Sequence, residues 1–165
     1  MKSKFESLAG YNGWANSRVY GAAEALPDAL YRKEHGAFFG SIHRTLNHML
    51  IGDWIWMNRF TGDGPAPREL DAVPFADFED LKAARVSEDA RIADYIGSLS
   101  EAAIDGTIAY RTISNPADME QPLADALLHF FNHQTHHRGQ VHCLLTQLGG
   151  SAPSLDLLVY QRGIA

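Results

Sequence analysis

Residues 122–148 read PLADALLHFFNHQTHHRGQVHCLLTQL, and the spacing inside this stretch sets the reading of the whole chain. Proline suits the first position of a helix, where its missing N–H would be unpaired anyway, and no second proline follows Pro122 before Leu148. Gly139 is the single helix-weakening residue inside, and Gly149-Gly150 closes the run. At about 100° per residue, His129, His133, His136 and His137 fall within an arc of roughly 100°, which Gln140 and Leu144 extend. One face of a long helix therefore carries imidazoles above and leucine below.

Working outward, residues from about Phe5 to Leu26 place Leu8, Tyr11, Ala15, Val19 and Ala22 at mixed three- and four-residue spacing, which predicts an amphipathic helix ended by Pro27. The stretch from Pro27 to Phe39 reads as a connection with a short helical turn. Ser41 is the predicted N-cap of a second helix running to about Phe60, stopped by Gly62, Gly64, Pro65 and Pro67. Asp77 or Ser87 begins a third helix, which keeps helical spacing to about Leu99. Between Ile104 and Gln121, β-favouring residues alternate around the turn signal Asn115-Pro116, so a small hairpin is expected on a long crossover. Ser154 to Tyr160 reads as a short C-terminal helix packed across the bundle. The fold expected is all-α, a helical bundle with a small hairpin before the last long helix.

A chain of 165 residues with 45% hydrophobic side chains fits one domain over residues 1–165. The formal net charge of -6 argues against nucleic-acid phosphates as partners. The N-terminus lacks the uninterrupted apolar run of a secretory signal, and MLIGDWIWM, the most apolar segment, is interrupted by Asp53 and too short to span a bilayer. A cytoplasmic protein without membrane partners is expected. Cys143 is the only cysteine, so any metal chemistry must rest on His, Asp or Glu.

Histidines at i and i+4 project from adjacent turns and can converge on one ion, a requirement that both His129/His133 and His133/His137 meet. One helix cannot easily supply the third ligand, which must come from a neighbouring helix. The second helix offers His43 and His48, which point about 140° apart, so one of them is expected to face the core. His48 is preferred, because Leu46, Ile51 and Ile55 lie near its side, whereas His43 sits in the helix start where polar groups are expected. A histidine-rich face can also be an idle solvated one. Clustering on one arc favours the metal.

Three segments resemble the DinB/YfiT-like family of metal-binding helical bundles: Tyr11 to Asn16 (YNGWAN), Thr45-Leu46-Asn47-His48 with Asp53-Trp54, and Asn132 to Gln140 (NHQTHHRGQ). The likeness extends to Ser154-Leu155-Asp156-Leu157 and so spans nearly the whole chain. It implies an up-down-down-up four-helix bundle, frequent homodimers, and a divalent ion, typically nickel or zinc, on three histidines. Carried over by motif, these are His48, His133 and His137.

The remaining marked residues receive plainer readings. Trp14, Trp54 and Trp56 are taken as core or dimer-interface packing. Asn12, Asn16 and Asn47 either line a pocket or bond within the bundle. His129 is an alternative ligand, and His136 a supporting or surface group. Gly139 is read as permitting close helix packing, Asp53 as ion-paired or hydrogen-bonded rather than ligating, and Cys143 as a small buried filler.

Three neutral histidines leave coordination positions open to water or substrate, the arrangement of a catalytic site. The resemblance implies that some relatives are thiol-dependent S-transferases joining a small thiol to an electrophile. The function expected is a metal-dependent transferase or hydrolase that activates a thiol or water. The alternative is a non-catalytic, dimeric metal-binding module of stress responses. No Asp or Glu falls on the His133/His137 face to serve as general base.

Overall fold

The computed structural model describes residues 1–163. Its elements are α1 (Lys2–Glu24), α2 (Asp28–Tyr31), α3 (Ile42–Thr61), α4 (Phe78–Ser98), α5 (Glu101–Ile104), β1 (Thr107–Arg111), β2 (Asp118–Pro122), α6 (Leu123–Gln147) and α7 (Leu157–Gln161). Local chemistry fixes several boundaries. The Ser41 hydroxyl accepts from the Arg44 amide at 3.2 Å, as an N-cap should. Gly62 ends α3 in the left-handed conformation, φ 73°, which suits a residue without a Cβ. Asp77, the earlier of the two expected starts, caps α4 by accepting from Glu79 and Asp80 amides at 2.8 and 3.2 Å.

Helix direction follows from which ends share a core. One apolar cluster joins Phe5 and Ala9 of α1 to Trp56 and Met57 of α3, Ile92 and Ile96 of α4, and Leu127 and Phe130 of α6. The other joins Val19 and Tyr20 to Ile42 and Leu46, Leu81, and Val141 and Leu145. Each cluster thus takes the beginning of α1 and α6 with the end of α3 and α4, or the reverse. The bundle is up-down-down-up, with α1 and α3 each packed on both α4 and α6. Consecutive α3 and α4 run parallel, so residues 62–77 must return along the bundle, well within the roughly 3.3 Å per residue of an extended chain.

The hairpin pairs β1 with β2 antiparallel, from Thr107↔Pro122 to Arg111↔Asp118. Its turn is closed by its own bonds, the Thr112 amide donating to the Ala117 carbonyl at 3.0 Å and the Thr112 hydroxyl accepting from the Ala117 amide at 2.8 Å. Pro122 therefore ends a strand and occupies the N-cap, and the helix begins at Leu123 rather than at the proline. Helix α7 lies against α1, with Tyr160 5.7 Å from Trp14 and 6.0 Å from Tyr11, ring to ring.

Two smaller expectations are overturned. Cys143 is exposed, because it lies two residues, about 200°, beyond buried Val141. Gly139 faces open space, since the inward directions of α6 are taken by His133 and His137 on one side and Gln134 and Arg138 on the other.

A polar belt separates the two apolar clusters. Asp53 is fully buried and meets the Arg85 guanidinium at 2.6 Å, which also pairs with Asp89 at 3.0 Å. Gln134 donates to Asp53 and, at 3.1 Å, to the Met49 carbonyl. Arg138 donates to the side-chain oxygens of Asn12 and Asn16, and Asn16 donates to Asp89 at 2.9 Å. Asp53 is thus ion-paired and hydrogen-bonded as expected, and Asn12 and Asn16 bond within the bundle.

Candidate metal centre

Helix α3 delivers His48 and α6 delivers His133 and His137 to one point, about 100° around α6 from the Gln134 and Arg138 that enter the Asp53–Arg85 belt. Their nearest ring nitrogens all lie within 4.8 Å of one another. The Nε2 atoms of His48 and His137 are 3.2 Å apart, and those of His137 and His133 are 3.1 Å apart. Nitrogens on a tetrahedral ion with bonds near 2.1 Å stand about 3.4 Å apart, so the spacing fits such an ion.

The outer nitrogens decide which atoms can ligate. His48 donates its Nδ1–H to the Leu70 carbonyl at 2.7 Å, and His137 donates its Nδ1–H to Gln140 Oε1 at 2.8 Å. In the neutral rings both Nε2 atoms then carry lone pairs, turned toward each other. Burial keeps the rings neutral. It pushes His133 down to about 3, helped by the neighbouring imidazoles, and His137 down to about 4 against the Gln140 bond. Burial lowers His48 as well, with the Leu70 bond opposing it.

The surroundings make the centre one-sided. Phe39 stacks on His48 with ring centroids 3.8 Å apart and meets His137 edge-on at 5.5 Å, closing one side. On the other, a cleft of about 500 Å³ reaches His48 and His133 between Trp56, Leu70, Met119 and the hairpin turn. Among the described residues, no Asp or Glu lines it.

Position by position, the three histidines chosen from sequence come together and the other candidates do not join them. His43 is buried too, contrary to the expectation that only one of the pair turns inward. Tyr31 of α2 covers it, and its Nδ1 lies 2.9 Å from the Tyr31 hydroxyl. His129 lines the cleft against Trp56 but stands 6.0 Å from the His133 ring, outside the cluster. His136 is exposed and bonds Gln140 at 3.2 Å. Asn47 takes the structural option: it holds the 62–77 crossover by accepting from the Phe75 amide and donating to the Phe75 carbonyl. Trp56 packs in the core and also walls the cleft.

Sequence reasoning missed Gly52. A Cβ there would lie 2.9 Å from His133 Cε1, so glycine is what lets the α6 imidazole approach α3. A signal existed: glycine inside a helix costs roughly 1 kcal/mol against alanine, and this one sits one turn from His48. Phe39 and Leu70 were missed as well, and neither carries a sequence signal, since both arrive from irregular connections.

The profile of the DinB family matches residues 1–164. The chain belongs to the DinB family. Protein DinB of Bacillus subtilis (strain 168) is 28% identical over 160 residues, covering 91% of this chain and 89% of that protein. The crystal structure of a DinB-like protein from Bacillus cereus superposes with a TM-score of 0.64 at 17% identity, over 88% of this chain and 91% of that one, a likeness of fold. Family membership, the helical bundle and the clustered histidines thus agree with the family resemblance of the three sequence segments. No helix among the described residues is long and apolar enough to cross a membrane.

Proposed function

We propose that His48, His133 and His137 hold one divalent metal ion, and that this DinB-family chain is a metal-dependent transferase acting on a small thiol and an electrophile. The observation that carries the reading is the pair of bare Nε2 lone pairs at 3.2 Å, which repel one another unless a cation lies between them. When bound, a divalent ion supplies Lewis acidity, taking a thiol to thiolate outright but water only to a pKa near 7. The chain's own part is to keep three neutral donors in place, close one side with Phe39, and leave the other open to the cleft.

The lining favours a thiol over water. A metal-bound water with a pKa near 7 keeps part of its protons at neutral pH, and no carboxylate stands on the cleft wall among the described residues to take them, which leaves that role to the His129 imidazole. A thiolate needs no such base before its sulfur attacks the electrophilic carbon. Zinc and nickel both suit three imidazoles.

Elemental analysis of protein purified without a histidine tag is the first test. One zinc or nickel per chain is expected, with near-complete loss in His133→Ala. The metal-replete protein is then assayed with thiol-plus-electrophile pairs and with esters. Turnover of the former alone supports the transferase. Stoichiometric metal without any turnover replaces it with the non-catalytic binding module.

A further inference from the structure

Helix α3 carries more than the ligand. His48, Gly52, Ile55 and Arg59 follow at intervals of four, three and four residues, so they form one stripe, and all four line the metal cleft. At Ile55, Arg59 and Ile113 this cleft meets a second cavity of about 340 Å³, lined also by Arg68, Tyr110 and Arg111. In a chain of net charge -6, the charged residues lining the two cavities are three arginines and no carboxylate among the described residues.

The three guanidiniums are not equivalent. Arg111 is already paired with Asp118 at 2.7 Å. Arg59 and Arg68 have no carboxylate partner among the described residues. Arg59 is half-buried and clasped between the Trp56 and Tyr110 rings, 4.5 Å from each centroid, and its one hydrogen bond, to the Arg111 carbonyl, is long at 3.4 Å. A fork of donors fixed in place by aromatic faces, partly stripped of water and met by a single long carbonyl contact with no carboxylate, is a receptor for a planar or tetrahedral anion.

Resting on the proposed metal site, we infer that Arg59 and Arg68 form an anion subsite, so that one substrate carries a carboxylate or phosphate on the order of 10 Å from its reacting atom. The distance follows from the stripe: eleven residues of helix rise about 16 Å, and the long arginine side chain leans back toward the helix start. The reacting end lies at the histidines, the apolar middle crosses Ile55 and Ile113, and the anionic end reaches the arginines.

The test titrates the full chain, metal-loaded and metal-free, with succinate, methyl phosphate and neutral succinamide by calorimetry, with metal content measured on the same samples. At least one anion is expected to bind both forms and succinamide neither. The anion that binds assigns the group as carboxylate or phosphate. Affinity should fall about tenfold in Arg59→Gln and severalfold in Arg68→Gln, whose exposed side chain can be lost without harm to the fold. Equal anion binding by the wild type and the double variant overturns the subsite, as does no anion binding at all. Binding that requires the metal and ignores the arginines also overturns it, because the anion then sits on the ion. Anion binding that depends on the arginines without metal uptake supports the subsite and removes the metal reading instead.

Discussion

The two sides of α6 carry adjacent polar residues to opposite ends. On one side Gln134 and Arg138 enter the belt with Asn12, Asn16, Asp53, Arg85 and Asp89, where each charge meets a counter-charge or an amide oxygen. On the other, His133 and His137 meet His48 with lone pairs converging and no charge to balance them. The belt balances its charges within the chain, although Arg85 Nε, Gln134 Oε1 and Arg138 Nε find no hydrogen-bond partner there, whereas the histidines turn three ring nitrogens toward one point with no donor or charge of the chain between them. Neither burial nor a missing hydrogen bond therefore marks a candidate site by itself; what sets the histidines apart is that several electron-pair donors converge on one point.

Removing one partner from each side should separate the two most sharply. Asp53→Ala strips Arg85 of its closest counter-charge inside the core and should cost about 3–5 kcal/mol, read from urea unfolding. His133→Ala should leave the metal-free stability within about 1 kcal/mol while abolishing metal uptake. An equal loss in both variants would erase the distinction.

Acid offers a smaller effect with a definite sign. His133 and His137 titrate at about 3 and about 4 when folded, below the usual value near 6.5, so the unfolded chain binds protons first. Their contribution is present above about pH 6.5 and is lost as pH falls toward 4. Allowing for solvent screening at the partly exposed His133 ring, metal-free protein should lose about 2 kcal/mol over that window, followed by melting temperature against pH. His133→Ala should flatten the slope.

The smallest change concerns the outer contact of one histidine of the cluster. Gln140→Leu removes the acceptor that holds the His137 Nδ1–H at 2.8 Å, and metal affinity should fall about tenfold by chelator competition, with stability little altered. An unchanged affinity would mean that burial by itself orients the ring.

Much of this was legible in the sequence because helices write their faces at a fixed period. The arc of His129 to His137 and the apolar spacing around His48 placed the clustered histidines on helices, and the Asn115-Pro116 turn placed the hairpin. Contacts that cross from one element to another leave no such period. That is why the cover over His43 by Tyr31, the stacking of Phe39, and the Leu70 carbonyl were not foreseen. Gly52 lies between these cases: its residue type is a visible anomaly, but its reason stands on another helix. Cys143 and Gly139 erred for one cause, since a helix with two polar faces turned inward leaves fewer buried directions than one apolar stripe suggests.

The hairpin turn of residues 112–117 has a further consequence. It walls the cleft with Thr112, Ile113 and Asn115, yet it is closed by bonds between its own residues. Its length and side chains can therefore drift through evolution without disturbing the imidazoles. A frame of this kind can keep its histidine cluster while the shape of the space before it changes on a replaceable rim.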